Sequence, residues 1–419
     1  MFSERAGFEL SPNELSAAIA ARRRASRPFD DLTDANPTRH GLREPSRALV
    51  EALPRLAQDP RALSYEPDPR GGRAAREAVA SYYRARGASV DPDHVLLTAG
   101  TSEAYAHLFR LLANPGDTVL VPRPSYPLFD LLASFEGLEA VGYPTRVPLA
   151  DGAFSLDLEV LAARLGPRTR AILAVHPHNP TGVYLSSAER RGLRTLARDR
   201  GCGLIVDEVF LDFPVSADHA EPSLLASDTE VGRLEPTEGP LCFVLSGVSK
   251  TLALPQLKLA WIVVDGPAAL RDEALARLEV IADTFLAVSA LPQILLPGLL
   301  EAAPSIAREL GARLRENHAF LAAASAQAPG VHALPAAGGW SAILRVEGAE
   351  DAGAGEDELT LRLLEEADVL VQPGWLFDLE PPPGGGAHLV TSLLAEPARF
   401  RAAARRLVDA CARWRDGRS

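Results

Sequence analysis

Between about Ser46 and Val264 the chain alternates two patterns. Short apolar runs without polar alternation are followed by longer segments whose apolar residues recur at helical spacing. VLLTAG precedes TSEAYAHLFRLLA, DTVLVP precedes YPLFDLLASF, and AILAVHP is followed by SSAERRGLRTLARD; GLIVDEVF, CFVLSG and LAWIVVDG come after. Strand-length runs that are apolar throughout are buried on both faces, and the amphipathic segments between them supply the covering helices. The pattern predicts an α/β domain on a mainly parallel sheet. Sites in such sheets gather at the carboxyl ends of the strands, which places Gly100, Pro122, Pro177, Asp207 and Ser246 near one rim.

Beyond this region the pattern becomes helical, through RDEALARLEVIADTFLAV and APSIARELGARLRENHAFLAAASA. GGWSAILRV and AHLVTSLL read as strands, PARFRAAARRLVDACARW as a final helix, and EGAEDAGAGEDE and EPPPGGGAH as turn-rich loops. These segments predict a smaller α+β domain. The organisation read from the sequence is an N-terminal arm (1–45), a large domain (46–300) and a small C-terminal domain (301–419).

Composition narrows the function. The 419 residues are 47% hydrophobic and 23% charged, an ordinary globular balance with room for two or three domains. A net charge of −12 and a pI near 5.3 argue against nucleic acid, whose phosphates require a basic face. Cys202, Cys242 and Cys411 are odd in number and widely spaced, which indicates neither a disulfide framework nor a zinc site. No signal-type apolar run opens the chain and no uncharged stretch reaches membrane length, so the expected setting is the cytoplasm.

Several rim residues could carry chemistry. Gly100, Thr101 and Ser102 stand where a strand hands over to a helix, where backbone N–H groups suit a phosphate, although Thr or Ser there is also an ordinary helix cap. Asp207 follows the run GLIV, and a carboxylate at a buried strand end needs a cation or a donor. A protonated ring nitrogen of a cofactor would serve, and so would a structural ion pair. Glu208 beside it is expected to point away. Asn179, in HPHNPTG, can donate its amide to an oxygen held over the strand ends. His176 and His178 have no carboxylate or cysteine at ligand spacing, so a metal is not expected. Tyr126 could lie on a planar ligand or simply pack.

The lysines are the sharpest signal. Of 43 basic residues only Lys250 and Lys258 are lysine. A chain that uses arginine wherever arginine will do keeps lysine where it will not. Only an amine can lose its proton at accessible pH and form a Schiff base, so Lys250 reads as a nucleophilic amine.

Taken in order, AGTSEAY, SYPLF, HPHNPTG, VDEVF and SGVSKTLALPQLKLAW resemble the motifs of class I/II aminotransferases of the fold-type-I pyridoxal phosphate enzymes. YEPDPRGGRAAREAVASYY and DANPT add to the resemblance, which spans roughly residues 30–400. It implies a seven-stranded sheet with helices on both faces, a smaller C-terminal domain, pyridoxal 5'-phosphate as cofactor and a homodimer with a shared active site. It also implies roles. Lys250 would hold the cofactor and move a proton, Asp207 would pair with its ring nitrogen, Asn179 would bond its phenolic oxygen, and Tyr126 would stack on its face. Phe210 stands beside that oxygen. Gly100, Thr101, Ser102, Ser249 and Lys258 would hold the phosphate, with Tyr65 reaching in from a second subunit. Asn36, Trp340 and Arg345 are the candidate substrate contacts.

Three departures stand out. Lys258 occupies the place of a usual arginine. Phe210 replaces a usual tyrosine, which leaves Asn179 to serve the phenolic oxygen. Val390 stands where the family's carboxylate-gripping arginine is expected, and Arg39, Arg123 and Arg345 are the candidate substitutes. The reading is an aminotransferase that moves an amino group from a small-molecule amino donor to a 2-oxo acid by ping-pong exchange. The alternatives are a β-eliminating lyase on the same fold and, further off, a cofactor-binding regulator. If a compact ammonium is required at the phosphate, Lys258→Arg weakens cofactor affinity by about tenfold. Equilibrium titration of the apoprotein measures this, and unchanged affinity would make Lys258 an accident of composition.

Overall fold

The computed structural model describes residues 2–8, 10–145, 156–216, 220–226, 239–286, 288–348, 355–382 and 385–415. The first strand, β1 (Asp30–Asp31), belongs to the N-terminal arm. Seven strands then form the large sheet: β2 (Val95–Thr98), β3 (Thr118–Arg123), β4 (Glu139–Pro144), β5 (Thr169–Val175), β6 (Gly203–Asp207), β7 (Cys242–Gly247) and β8 (Ala260–Asp265). Their order is β2-β8-β7-β6-β5-β3-β4, with β8 antiparallel to both of its neighbours and the remaining pairs parallel. Six of the seven are the apolar runs read from the sequence. The seventh, β4, is the edge strand and is only partly buried, so it lacks the two-faced apolar signature.

Period-two alternation divides the sheet's side chains between two cores. Ile205, Phe243, Leu245 and Ile262 face one cluster, which the helices Thr101–Leu112 and Ala268–Phe285 cover. Leu204, Val206, Val244 and Trp261 face the other, under Arg73–Arg84 and Ser187–Arg200. The Ser187–Arg200 helix starts with a capping box, in which Ser186 and Glu189 serve each other's backbone N–H, and stops at Gly201 in the left-handed region.

The chain then builds a four-stranded antiparallel sheet from β9 (Val331–Ala333), β10 (Ser341–Glu347), β12 (Gln372–Pro373) and β13 (Gly386–Ser392), in the order β12-β13-β10-β9. The helices Ala303–Ser325 and Pro397–Arg415 pack against each other beside it. A two-residue strand, β11 (Val369–Leu370), pairs in parallel with β1, so the N-terminal arm docks on this C-terminal unit. The two turn-rich stretches lie partly outside the described residues, and the first gives way to the helix Glu356–Glu366. No single described helix is long and apolar enough to cross a membrane. Ala290–Glu301 and Ala303–Ser325 pass that test only as a pair bent by 70°.

The two units meet at Gly182. Its carbonyl accepts from Ala337 N at 3.1 Å and Gly338 N at 2.8 Å, and its φ is +72°. A Cβ there would fall 2.4 Å from Gly338 O. This contact holds the loop after β5 against the segment that leads into Trp340 and β10. Gly182→Ala is therefore expected to cost about 3 kcal/mol, from the strained φ and the overlap together. Denaturant unfolding measures the loss.

Candidate active site

The sheet's alternation decides the fate of two adjacent acids. Asp207, the last residue of β6, falls on the face of Ile205 and points toward the Thr101–Leu112 helix. There Tyr105 Oη donates to Asp207 Oδ2 at 3.0 Å, and Val209 N donates to Oδ1 at 3.0 Å. Burial raises the Asp207 carboxyl to about 6, against the pull of these donors and of Lys250. Glu208 falls on the opposite face, where it accepts from Ser223 Oγ and Leu224 N, both at 2.7 Å. Glu208 points away from Asp207, as expected, and is buried.

Lys250 sits in the one-turn helix Val248–Thr251 that caps β7. Its Nζ lies 4.8 Å from the ring centroid of Trp340 and 5.7 Å from that of Phe210. Burial lowers the amine to about 8, with Asp207 opposing the shift. Trp340 meets Phe210 and Phe213 edge-on at 5.6 and 5.3 Å, so packing fixes the ring over the amine.

Asp207, Phe210, Lys250 and Trp340 line a cavity of 270 Å³, together with Thr101, Ser102, Tyr126, Asn179 and Ser249. Gly100 is the residue before the Thr101–Leu112 helix, and no side chain caps that helix. The hydroxyls of Thr101 and Ser102 are thus not spent on capping, and the helix N-terminus keeps its free donors. Lys258 is exposed, and its Nζ lies 3.7 Å from where a Cβ on Gly100 would stand. That brings a point charge to the same end. Tyr126 borders the cavity with its ring edge-on to Phe129 at 5.9 Å.

Asn179 is steadied from the other unit, since Ser341 Oγ donates to its Oδ1 at 3.2 Å. This leaves the Asn179 amide N–H groups for a ligand. Sequence reading missed Ser341, Gln372, Ser392, Thr33 and Phe377, which close the cavity from the small sheet and the arm. It also missed Tyr105, although the four-residue step from Thr101 to Tyr105 places both on one helix face.

Several candidates are not brought to the cavity. Asn36 turns back on its own loop, where its Oδ1 accepts from Thr38 N at 3.1 Å and from Thr38 Oγ1 at 2.8 Å; Ala35 lines the cavity instead. Arg345 lies on β10 two residues beyond Ile343 and approaches Glu347 at 3.6 Å. Arg39 approaches Asp34 at 3.5 Å with its side chain 71% exposed, and Arg123 pairs with Asp130 at 2.5 Å and Asp378 at 3.4 Å. Val390 is buried with Ile343, Leu334, Phe377 and Leu379. Tyr65 is 80% exposed beside a separate groove of 440 Å³ that shares no lining residue with the Lys250 cavity.

His176 and His178 are embedded in the loop that follows β5. His176 Nδ1 accepts from Leu185 N at 2.9 Å, while Nε2 lies 3.0 Å from Pro222 O. His178 Nδ1 lies 2.8 Å from Thr181 Oγ1. Burial lowers the two imidazoles to about 3 and about 4, so both are neutral structural groups. No cluster among the described residues could hold a metal ion.

The donor set fits a planar, phosphorylated, cationic heterocycle. A buried acid, aromatic rings, a reactive amine and an uncapped helix N-terminus with an ammonium near it border one cavity. Comparison with known proteins points the same way. A family model described as aminotransferase class I and II matches residues 32–386. The chain is 30% identical over 336 residues to an arginine–pyruvate transaminase of Pseudomonas aeruginosa, covering 79% of each. It is 30% identical over 240 residues to a glutamate–pyruvate aminotransferase of Escherichia coli, covering 56% of this chain and 54% of that one. The crystal structure of an E. coli aminotransferase superposes with a TM-score of 0.83 over 99% of each chain, at 23% identity, a likeness of fold.

If Asp207 meets the ring nitrogen, cofactor affinity follows the ionisation of that carboxyl. It is charged above about 6 and neutral below, so the attraction is present at neutral pH and lost as pH falls. Affinity is expected to drop about tenfold between pH 7.5 and about 5, and Asp207→Asn to flatten this component. Equilibrium titration of the apoprotein with pyridoxal phosphate across that range gives the profile.

Proposed function

The chain belongs to the class I and II aminotransferases and is a pyridoxal phosphate-dependent transaminase, and on that premise we propose how its own residues divide the work. When bound, the cofactor supplies an electron sink next to the carbon that exchanges the amino group. Lys250 would hold the cofactor through its amine and, when that amine is free, would move the proton at the donor carbon. The observation that carries this assignment is an amine lowered to about 8 in the same cavity as a buried acid and an uncapped helix N-terminus. Such an amine is partly neutral near physiological pH, where it can act both as nucleophile and as base.

Asp207 keeps the ring nitrogen protonated, and Tyr105 fixes the carboxylate in place. Asn179, steadied by Ser341, donates to the ring oxygen without help from Phe210, which has no hydroxyl. Thr101, Ser102, Ser249, the backbone at Gly100 and Lys258 take the phosphate. Tyr126 and Trp340 flank the reacting groups and exclude water. A donor enters, leaves as its oxo product, and a 2-oxo acid then takes the amino group in a second half-reaction. The names of relatives such as the arginine–pyruvate transaminase and the glutamate–pyruvate aminotransferase favour transfer over β-elimination.

Assembly as a homodimer with a shared site accounts for Tyr65. Leu63 and Tyr65 are 95% and 80% exposed beside the second groove, an arrangement that suits burial against a second copy. A reducing, cytoplasmic setting suits the three buried, unlinked cysteines.

Lys250→Ala is expected to lower turnover about 10⁴-fold, and Tyr65→Ala to weaken cofactor retention. If Tyr65 serves the partner's site, a hybrid of the two variants has one doubly altered site and one intact site. Equal mixing then restores activity to about a quarter of wild type. Absence of recovery in subunit-exchanged mixtures would remove Tyr65 from the shared site.

A further inference from the structure

Where the small sheet closes the cavity, the side chains it presents carry no charge. In the antiparallel pair of β10 and β13, Ser341 stands opposite Ser392 and Ile343 opposite Val390, while Gln372 of β12 also stands opposite Val390. Alternation puts all five side chains on one face. Ser341, Ser392 and Gln372 border the cavity, and Ile343 and Val390 form an apolar floor behind them. Arg345 shares this face, but the Ile343–Val390 pair lies between it and the cavity.

Among the described residues that line the cavity, Lys250 and Asp207 are the only charged ones. Trp340 is 2% exposed, and its indole Nε1–H has no hydrogen-bond partner among the described residues, although the ring borders the cavity. A buried donor left unmade costs about 1–3 kcal/mol and is normally matched by something. The Ser392 hydroxyl accepts from Leu394 N at 3.3 Å, and its proton stays available to a ligand.

We propose, building on the transaminase roles given above, that the subsite beside the reacting carbon recognises the α-group of the donor by neutral hydrogen bonds from Trp340, Ser392 and Gln372, not by charge. It therefore takes amino donors whose α-group is an uncharged amide or alcohol about as well as the α-carboxylate. A carboxylate gains stronger hydrogen bonds there than an amide does, but it loses more solvation on entering a site with no cation of its own. The two effects oppose each other, so affinity varies little. A bidentate arginine would behave differently, because a site built around a charged partner rejects analogues that lack it by 10³-fold or more. During transfer, the donor's C–N bond and one C–H bond break and a water oxygen forms the new carbonyl. The nitrogen and the electron pair stay with the cofactor. None of this requires charge on the neighbouring group.

The test uses the holoenzyme with matched series: alanine, alaninamide and alaninol, and the same three derivatives of leucine and phenylalanine. The concentration dependence of the single-turnover absorbance change gives an apparent affinity for each. Propionate and propionamide, which cannot react, are compared as competitors by tryptophan fluorescence. Affinities within about tenfold across each series, with equal competition, support a neutral subsite. A preference for the acid of about a hundredfold or more overturns it. If amino acids react and their amides and alcohols do not, the role of Lys250 stands and the neutral subsite falls. If no compound reacts while cofactor is bound, the role of Lys250 fails, and this inference falls with it.

Two variants provide a further check. Val390→Arg places a guanidinium on the cavity face and is expected to raise preference for the acid at least tenfold, with amide affinity little changed. Should that variant not fold, Ser392→Ala is expected to weaken acid and amide alike, about threefold to tenfold. Loss confined to the acid, or no change in either, counts against the proposal.

Discussion

A buried carboxylate at the end of a strand organises this active site. Asp207 is held where burial alone would neutralise it, and its charge is sustained by Tyr105, by the Val209 amide and by Lys250. Each of these arrives from a different element: the helix after β2, the turn after β6 and the cap of β7. The cost of holding a charge out of water is thus spread over three connections that must converge on one rim. The same alternation that points Asp207 inward turns Glu208 to the far side of the sheet, where it ties down the Ser223–Leu224 backbone. One dipeptide supplies a functional acid and a structural acid because a strand's side chains have a period of two.

The amine opposite this acid has two opposing neighbours. Burial beneath Trp340 and Phe210 favours its neutral form, and Asp207 favours the charged one. The balance places it near neutrality, where a nucleophile that must also move protons is most useful. Trp340 and Ser341 come from the small sheet and reach the amine and Asn179 across the junction at Gly182. The large sheet therefore contributes the reactive groups, and the small sheet contributes their steadying contacts and the surface a substrate meets.

Much of this was legible in the chain. The two-faced apolar runs located six of the seven strands and their rim, and β4 escaped because an edge strand need not be apolar on both sides. Lys250, Asp207, Asn179, Thr101, Ser102 and Tyr126 were named from residue type and position, Ser249, Phe210 and Trp340 from the family resemblance, and the fold gathers all of them around one cavity. Asn36 and Arg345 were also chosen through the resemblance and lie elsewhere. Asn36 is taken up by a turn of its own loop, and Arg345 is on the right face of β10 but too far along it. Ser341, Ser392 and Gln372 gave no local signal, since a serine at a strand end reads like any other polar position.

What the sequence determined by itself is the chemistry of the reacting end. A lysine kept in an arginine-rich chain, an acid after an apolar run and a glycine before an amphipathic helix are local facts, fixed by side-chain type and by the period of the element that carries them. The substrate-facing wall was decided only by tertiary structure. Val390 was visible as a departure, but the sequence left Arg39, Arg123 and Arg345 open as substitutes. Each pairs with an acid that does not line the cavity: Asp34 for Arg39, Asp130 and Asp378 for Arg123, and Glu347 for Arg345. Strand register, which brings Ser341 opposite Ser392 and Val390 opposite Ile343, depends on pairing between segments some fifty residues apart. Pairing at that separation is set by how two faces pack, and no single stretch of chain encodes it.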